Sequence, residues 1–274
     1  MGRVTVRRKV RRLRDGTDAM RVDDLVVEEP LEMRVQGRRL AITMRTPGAD
    51  FDLVSGFLVS EGIVRATEDV VAIRYCAGAG DDGTNTYNVV EVTLAEGVLL
   101  PDPSLDRQFA ITSACGVCGK ASLDAIRTQA VWEVADDPIQ VSAEVLAQLP
   151  DRLRAAQQVF DRTGGLHAAG LFNVDGELLC MREDVGRHNA VDKVIGDALR
   201  DGRLPLRQTV LVVSGRASFE LVQKAVMAGI PMLAAVSAPS SLAVDLAQES
   251  GLTLVGFLRG SSMNIYAAPD RIGP

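Results

Sequence analysis

The chain has 274 residues, a net charge of −6, and 47% hydrophobic and 24% charged residues, which is ordinary globular usage and enough length for two compact units. Its four cysteines, at positions 76, 115, 118 and 180, are too few and too scattered for a disulfide scaffold. No apolar leader opens the chain and no apolar run approaches the roughly 18 to 20 residues of a membrane span, so a cytoplasmic protein with no membrane span and no nucleic-acid coating is expected.

The N-terminus is locally basic, with Arg3, Arg7, Arg8, Lys9, Arg11, Arg12 and Arg14 before any acid. Two readings stand: a solvated strand edge or frayed tail, and a contact for phosphate or an acidic partner. Residues 1–136 then read as a β-rich N-terminal domain. Leu31 to Val35 and Leu40 to Met44 alternate around a Gln36-Gly37 turn. Asp50 is placed to cap a helix to Ser60 with Phe51, Val54, Phe57 and Leu58 on one face. Val70 to Tyr75 and Tyr87 to Leu94 read as strands, and Pro101-Asp102-Pro103 ends the pattern. Gly78-Ala79-Gly80-Asp81-Asp82-Gly83 matches G-x-G-x-x-G, but a strand rather than a helix follows it and its aspartates would repel a pyrophosphate, so a hairpin loop is expected.

Beyond Asp136-Asp137-Pro138 the rhythm changes, and residues 137–274 read as an α/β domain. Helical stretches are expected near Ser142 to Gln148 and Asp151 to Phe160, then a hairpin from Ala168 to Met181 turned at Val174-Asp175-Gly176. Helix Arg187 to Leu199 follows, then strand Thr209 to Val213, helix Ser218 to Ala228, strand Met232 to Val236, helix Ser240 to Gln248 and strand Leu252 to Phe257. Short apolar strands alternating with amphipathic helices predict a partly parallel sheet covered on both faces, a three-layer α/β/α domain.

Cys115-Gly116-Val117-Cys118-Gly119 carries the chemistry. Glycine-flanked thiols at C-x-x-C spacing bind metal, exchange disulfides or carry sulfur as a persulfide. A closed zinc site lacks a second ligand pair, since His167 and His188 are far apart in sequence. A zinc deaminase needs a Glu where His167-Ala168-Ala169 has alanine, with the cysteine pair following rather than preceding it. The strand-to-helix setting of a thioredoxin motif is also missing. What remains is a thiol pair ahead of a short helix whose dipole lowers one pKa, with burial as small hydrophobes as the plain alternative.

Polar loops follow three of the expected strands: Ser214-Gly215-Arg216-Ala217-Ser218, Ser237-Ala238-Pro239-Ser240-Ser241 and Arg259-Gly260-Ser261-Ser262. Ligands of α/β sheets bind beyond the carboxyl ends of parallel strands, so these loops could line one anion pocket; N-capping by Ser218 and Ser240 is the plain alternative. Glu183 to Lys193 crowds charged groups with Arg187, His188 and Asn189 at a helix start, where ligand or dimer contacts and plain solvation are both open.

These segments, with Leu166-His167-Ala168-Ala169-Gly170-Leu171-Phe172, Ser214 to Glu220 and the Leu254 to Tyr266 tail, resemble the FdhD family of sulfur carrier proteins over almost the whole chain. The resemblance implies a cytidine-deaminase-like C-terminal domain without deaminase activity, and a homodimer. It implies a sulfurtransferase that receives sulfur from a cysteine desulfurase and delivers it to the bis(molybdopterin guanine dinucleotide) molybdenum cofactor, bound as substrate, before insertion into formate dehydrogenase. By motif, Cys115 is expected to bear the persulfide with Cys118 assisting, and no metal ligands are expected. Phe257, Leu258, Arg259, Gly260, Ser261 and Ser262 are expected to bind the cofactor, joined by Ser214, Arg216, Ser237 and His188, with GDP as a bound analogue. The family often has a charged pair where Ser261-Ser262 stand. The rival reading is a guanine-nucleotide or cofactor-binding chaperone whose thiols are incidental or hold zinc.

Overall fold

The computed structural model describes residues 4–76, 87–100 and 130–273. Cys115, Cys118, the Gly78 to Gly83 loop and Pro101-Asp102-Pro103 lie outside these residues.

The basic N-terminus forms β1 (Thr5–Arg14), paired antiparallel with β2 (Thr17–Val26). The signal for this ribbon is Asp15-Gly16, both at positive φ, as a two-residue hairpin turn requires. Arg11 pairs with Asp18 and Arg7 with Asp24, largely in solvent, so the arm is a solvated strand that belongs to a hairpin. Strands β3 (Glu29–Val35) and β4 (Arg38–Arg45) turn at Gln36-Gly37 as expected, again with both φ positive.

Helix α1 (Asp50–Ser60) follows. Its N-cap is Ala49, not Asp50. Asp50 instead accepts both arms of the buried Arg45 guanidinium at 3.0 Å, and the Tyr75 hydroxyl at 3.1 Å; a fixed bidentate ion pair outcompetes capping. Burial, then the Asp50 carboxylate, pushes the Tyr75 phenol up to about 12. The helix has no single apolar stripe: Leu53, Val54, Phe57, Leu58 and Val59 are all buried, because it is covered on more than one side. Strands β5 (Val70–Tyr75) and β6 (Val89–Leu94) complete a four-stranded sheet of order β4-β3-β6-β5.

The short strand β7 (Val141–Ser142) leads into α2 (Ala143–Ala156), capped by Ser142 Oγ on the Val145 N–H at 3.1 Å. Where the sequence predicts two stretches, Ser142 to Gln148 and Asp151 to Phe160, one helix runs to Ala156 with Pro150 inside it. Leu146, Leu149 and Leu153 are buried on one face, and their burial offsets the lost backbone hydrogen bond. Helix α3 (Gln158–Thr163) precedes β8 (His167–Phe172), β9 (Leu178–Asp184) and α4 (Arg187–Arg200). Then come β10 (Val210–Val213), α5 (Phe219–Met227), β11 (Met232–Ala235), α6 (Ser241–Ser250) and β12 (Thr253–Arg259). Beyond Phe257, where the sequence predicts no further element, the chain forms β13 (Ser262–Ala267), and β14 (Ile272–Gly273) pairs with β7.

The main sheet has the order β13-β12-β11-β10-β8-β9, with β10, β11 and β12 mutually parallel and the others antiparallel to their neighbours. Alternate residues of its strands face opposite cores. Leu211, Val213, Leu233 and Ala235 pack with α4, α5 and α6, while Val210, Val212, Met232 and Ala234 pack with α2. Helices therefore cover both faces, and the mixed α/β architecture agrees with the sequence pattern.

The first core continues without a break from the four-stranded sheet through α1 and α4 to the main sheet. The α1–α4 crossing is close because Gly56 and Gly196 face the partner backbone: an added Cβ would fall 1.8 Å from the Asp192 and Asp52 carbonyl oxygens respectively. A buried hydrogen bond from Ser60 to Asp192 spans it, and further buried pairs anchor α4 to its other neighbours. Lys193 meets Asp184 at 2.7 Å and donates to the Thr46 carbonyl, and Lys224 meets Asp192 at 2.8 Å, where Ser60 also donates.

Candidate functional site

The three polar loops expected after β10, β11 and β12 do come together. They are laced by backbone hydrogen bonds: Ser240 N–H donates to Ala217 O at 3.0 Å, and Phe257 N–H to Ser237 O at 3.2 Å. Arg259 Nε donates to the Val236 carbonyl at 3.1 Å, which holds an otherwise exposed guanidinium across the ends of β11 and β12. Gly256 makes the approach possible, since a Cβ there would stand 2.9 Å from Pro239 Cδ and 3.0 Å from Tyr266 Cε2. The register shift between Gly256 and Arg259 forces Phe257 to a φ of 52° and turns its ring outward, 41% exposed. A bulky residue is rarely found in that region, and such backbone clusters at functional sites.

Within the loops the roles divide. Ser214 continues the β8–β10 pairing, its N–H donating to Ala168 O and its hydroxyl accepting from Ala168 N–H at 2.9 Å; the hydroxyl proton remains to be donated. Ser240 caps α6 through Ala243 N–H, but Ser218, at the N-cap of α5, makes no capping bond. Its Oγ lies 3.2 Å from His188 Nε2, which also lies 2.8 Å from Glu220 Oε2. The His188 contact, with smaller help from Lys224 and Arg187, holds the Glu220 carboxyl below its ordinary range. Arg216, Gly260, Ser261 and Ser262 are exposed, whereas Ser237 is half-buried. Leu258 is a correction: its side chain is fully buried in the core on the α2 side, so only its backbone is available to a ligand.

His167 and Arg187 were noted in their motifs but not placed in this site, and the fold brings them to it. The start of β8 and the start of α4 meet at Gly215, where a Cβ would lie 3.5 Å from His167 Nδ1 and 4.0 Å from Arg187 Cδ. Burial, and then the charges of Arg187 and His188, pull the His167 imidazole below its ordinary pKa, against Asp184. Chain order hides this meeting, because the residues are distant in sequence.

The rest of Glu183 to Lys193 has a structural role, neither solvated nor free for a ligand. Glu183 accepts from the Val159 and Phe160 N–H groups of α3, neutralising that helix start. Asp184 and Lys193 are buried as a pair, and Asn189 donates to Met44 O at 2.7 Å. Of the described cysteines, Cys180 is buried beside Arg182, and burial pushes its thiol up to about 12; Cys76 is half-buried at the end of β5. No described helix is long and apolar enough to cross a membrane.

An open mixed sheet covered by helices on both faces, with polar loops gathered at the carboxyl ends of its parallel strands, places the chain in the α/β class. Its sequence matches the FdhD/NarQ family over residues 26–273. The chain is 68% identical over 273 residues to a sulfur carrier protein FdhD of Streptomyces coelicolor, covering 99% of this chain and 97% of that one. It is 58% identical over 275 residues to the sulfur carrier protein FdhD of Mycobacterium tuberculosis, covering 99% and 100%. The chain belongs to the FdhD/NarQ family. A crystal structure from Desulfotalea psychrophila, described as a formate dehydrogenase accessory protein, shares the fold with a TM-score of 0.76 over 98% of this chain and 100% of the other, at 24% identity.

Proposed function

We propose that this chain is a sulfur carrier that serves formate dehydrogenase from the cytoplasm, acting as a homodimer. The observation that carries the reading is full-length similarity to relatives bearing that name. Cys115 is the receiving thiol. Its thiolate attacks the outer sulfur of a persulfide on a cysteine desulfurase; that S–S bond breaks, a new one forms on Cys115, and the desulfurase thiolate leaves, with no net oxidation. Release as sulfide needs two electrons. Cys118 supplies them by attacking Cys115 Sγ, so that sulfide passes to the bis(molybdopterin guanine dinucleotide) cofactor bound as substrate and a Cys115–Cys118 disulfide remains for a dithiol to reduce.

The sheet-end loops hold the cofactor's nucleotide end. Phe257 offers an exposed face for a base, Arg259 is steered toward the loops by Val236, and Ser214, Ser237 and backbone N–H groups at Gly260, Ser261 and Ser262 donate to phosphates. GDP is the expected analogue. Mass spectrometry after incubation with a cysteine desulfurase and cysteine should find added sulfur on Cys115; its absence from both Cys115 and Cys118 would reject the carrier role. By calorimetry, Arg259→Ala should weaken GDP binding about ten- to a hundred-fold, as expected for a lost charge-assisted hydrogen bond. Unchanged affinity in both Arg216→Ala and Arg259→Ala would remove the pocket from the sheet end.

A further inference from the structure

Arg187 is the first residue of α4, and its guanidinium makes no hydrogen bond or ion pair with any described residue, although Nε is fully buried. A buried guanidinium N–H without an acceptor is costly, and protein structures rarely tolerate it unless a ligand completes the site. The surroundings are those of an anion site. His167 stands beside it across the space that Gly215 leaves open. The α4 N-cap is Gly186, with no side-chain cap and no acid in the first turn; Asp184 accepts the Gly186 N–H at 2.8 Å, and the N–H groups of the first turn itself have no side-chain acceptor among the described residues and face an anion favourably. The nearby carboxylates are already engaged, Asp184 with Lys193 and Glu220 with His188.

We propose that Arg187 and His167, flanking Gly215 at the α4 N-terminus, form an oxyanion subsite that takes a phosphate group of the bound nucleotide. This rests on the reading that the sheet end binds a guanine nucleotide, and it adds a second phosphate contact on the β8 side, apart from the Arg259 loop. Arg187 supplies its orphan Nε and fork, and His167 donates from one ring nitrogen. A phosphate there offsets the repulsion of the imidazolium by Arg187 and His188, so binding raises the His167 pKa and takes up a proton.

The chain has only two histidines, which makes the subsite readable by NMR of the unmodified protein, with His167→Asn assigning the signals. Adding inorganic pyrophosphate or GDP is expected to shift the His167 ring signals and raise its pKa, and guanosine is expected to leave both unchanged. Arg187→Gln should weaken pyrophosphate binding about ten- to a hundred-fold with an unchanged thermal midpoint. If that variant does not fold, the wild-type titration decides. The subsite is overturned if neither pyrophosphate nor GDP moves His167, if guanosine moves it equally, or if Arg187→Gln binds both anions as the wild type does. GDP binding with His167 unmoved rejects this subsite and leaves the nucleotide pocket standing. Pyrophosphate moving His167 without any GDP binding keeps the subsite and rejects the nucleotide.

Discussion

Replacing Gly56 or Gly196 by alanine is expected to cost about 3 kcal/mol or more, at the upper end of what overpacking does. The two glycines lie at the crossing of α1 and α4, where a Cβ would sit 1.8 Å from a carbonyl oxygen of the facing helix. Backbone cannot rotate away as a side chain can, so the helices must separate. Separation also pulls on the buried Ser60–Asp192 hydrogen bond, which crosses the same seam and shares its carboxylate with Lys224. Of a total stability of about 5–15 kcal/mol, such a loss is a large share. Chemical denaturation should show a much lower midpoint for each variant. Ser55→Ala, one position away, removes a buried hydroxyl with no described partner and should hold or raise the midpoint. Equal midpoints for Gly56→Ala and wild type would mean that the helices do not meet so closely.

In a strain lacking its own carrier, Cys115→Ala is expected to reduce formate dehydrogenase activity to the level of the empty strain, because a covalent carrier without its nucleophile has no substitute. Cys180 cannot replace it. Its thiol is buried, and with the pKa pushed up to about 12 it is almost never a thiolate near neutral pH, so Cys180→Ala should complement normally. Cys118→Ala should load sulfur but release it poorly, since the second electron pair is missing. The chaperone reading makes the opposite prediction. If the Cys115→Ala, Cys118→Ala double variant restored activity fully, binding rather than sulfur transfer would be the essential task, and zinc lost on that double substitution would assign the thiols to a metal.

Much of the fold was legible because it rests on local rules. The Gln36-Gly37 hairpin, the strand–helix alternation from β10 to β12 and the start of α4 all follow from turn chemistry and apolar period. The β1–β2 ribbon is signalled by Asp15-Gly16 alone, because its strands are mostly charged and exposed and carry no regular apolar alternation. The local pattern divides α2 into two stretches around Pro150, because local propensity does not register the three leucines that hold the helix together. For Ser218 the spacing leaves N-capping as the plain alternative to a pocket role; it makes no capping bond, because a distant residue, His188, has its hydroxyl.

By itself the sequence determined the α/β class, the strand–helix alternation of the second half, the C-x-x-C spacing of its clustered thiols and the polar loops that end the parallel strands. These properties depend on neighbours in the chain, where turn residues, apolar spacing and thiol spacing act directly. Only the tertiary structure decided that those loops are laced together, that Leu258 faces the core, that α1 and α4 touch through two glycines, and that His167 and Arg187 flank Gly215. Each of these joins groups far apart in sequence, and such contacts are set by how helices and sheets pack around a shared core, which no local pattern encodes.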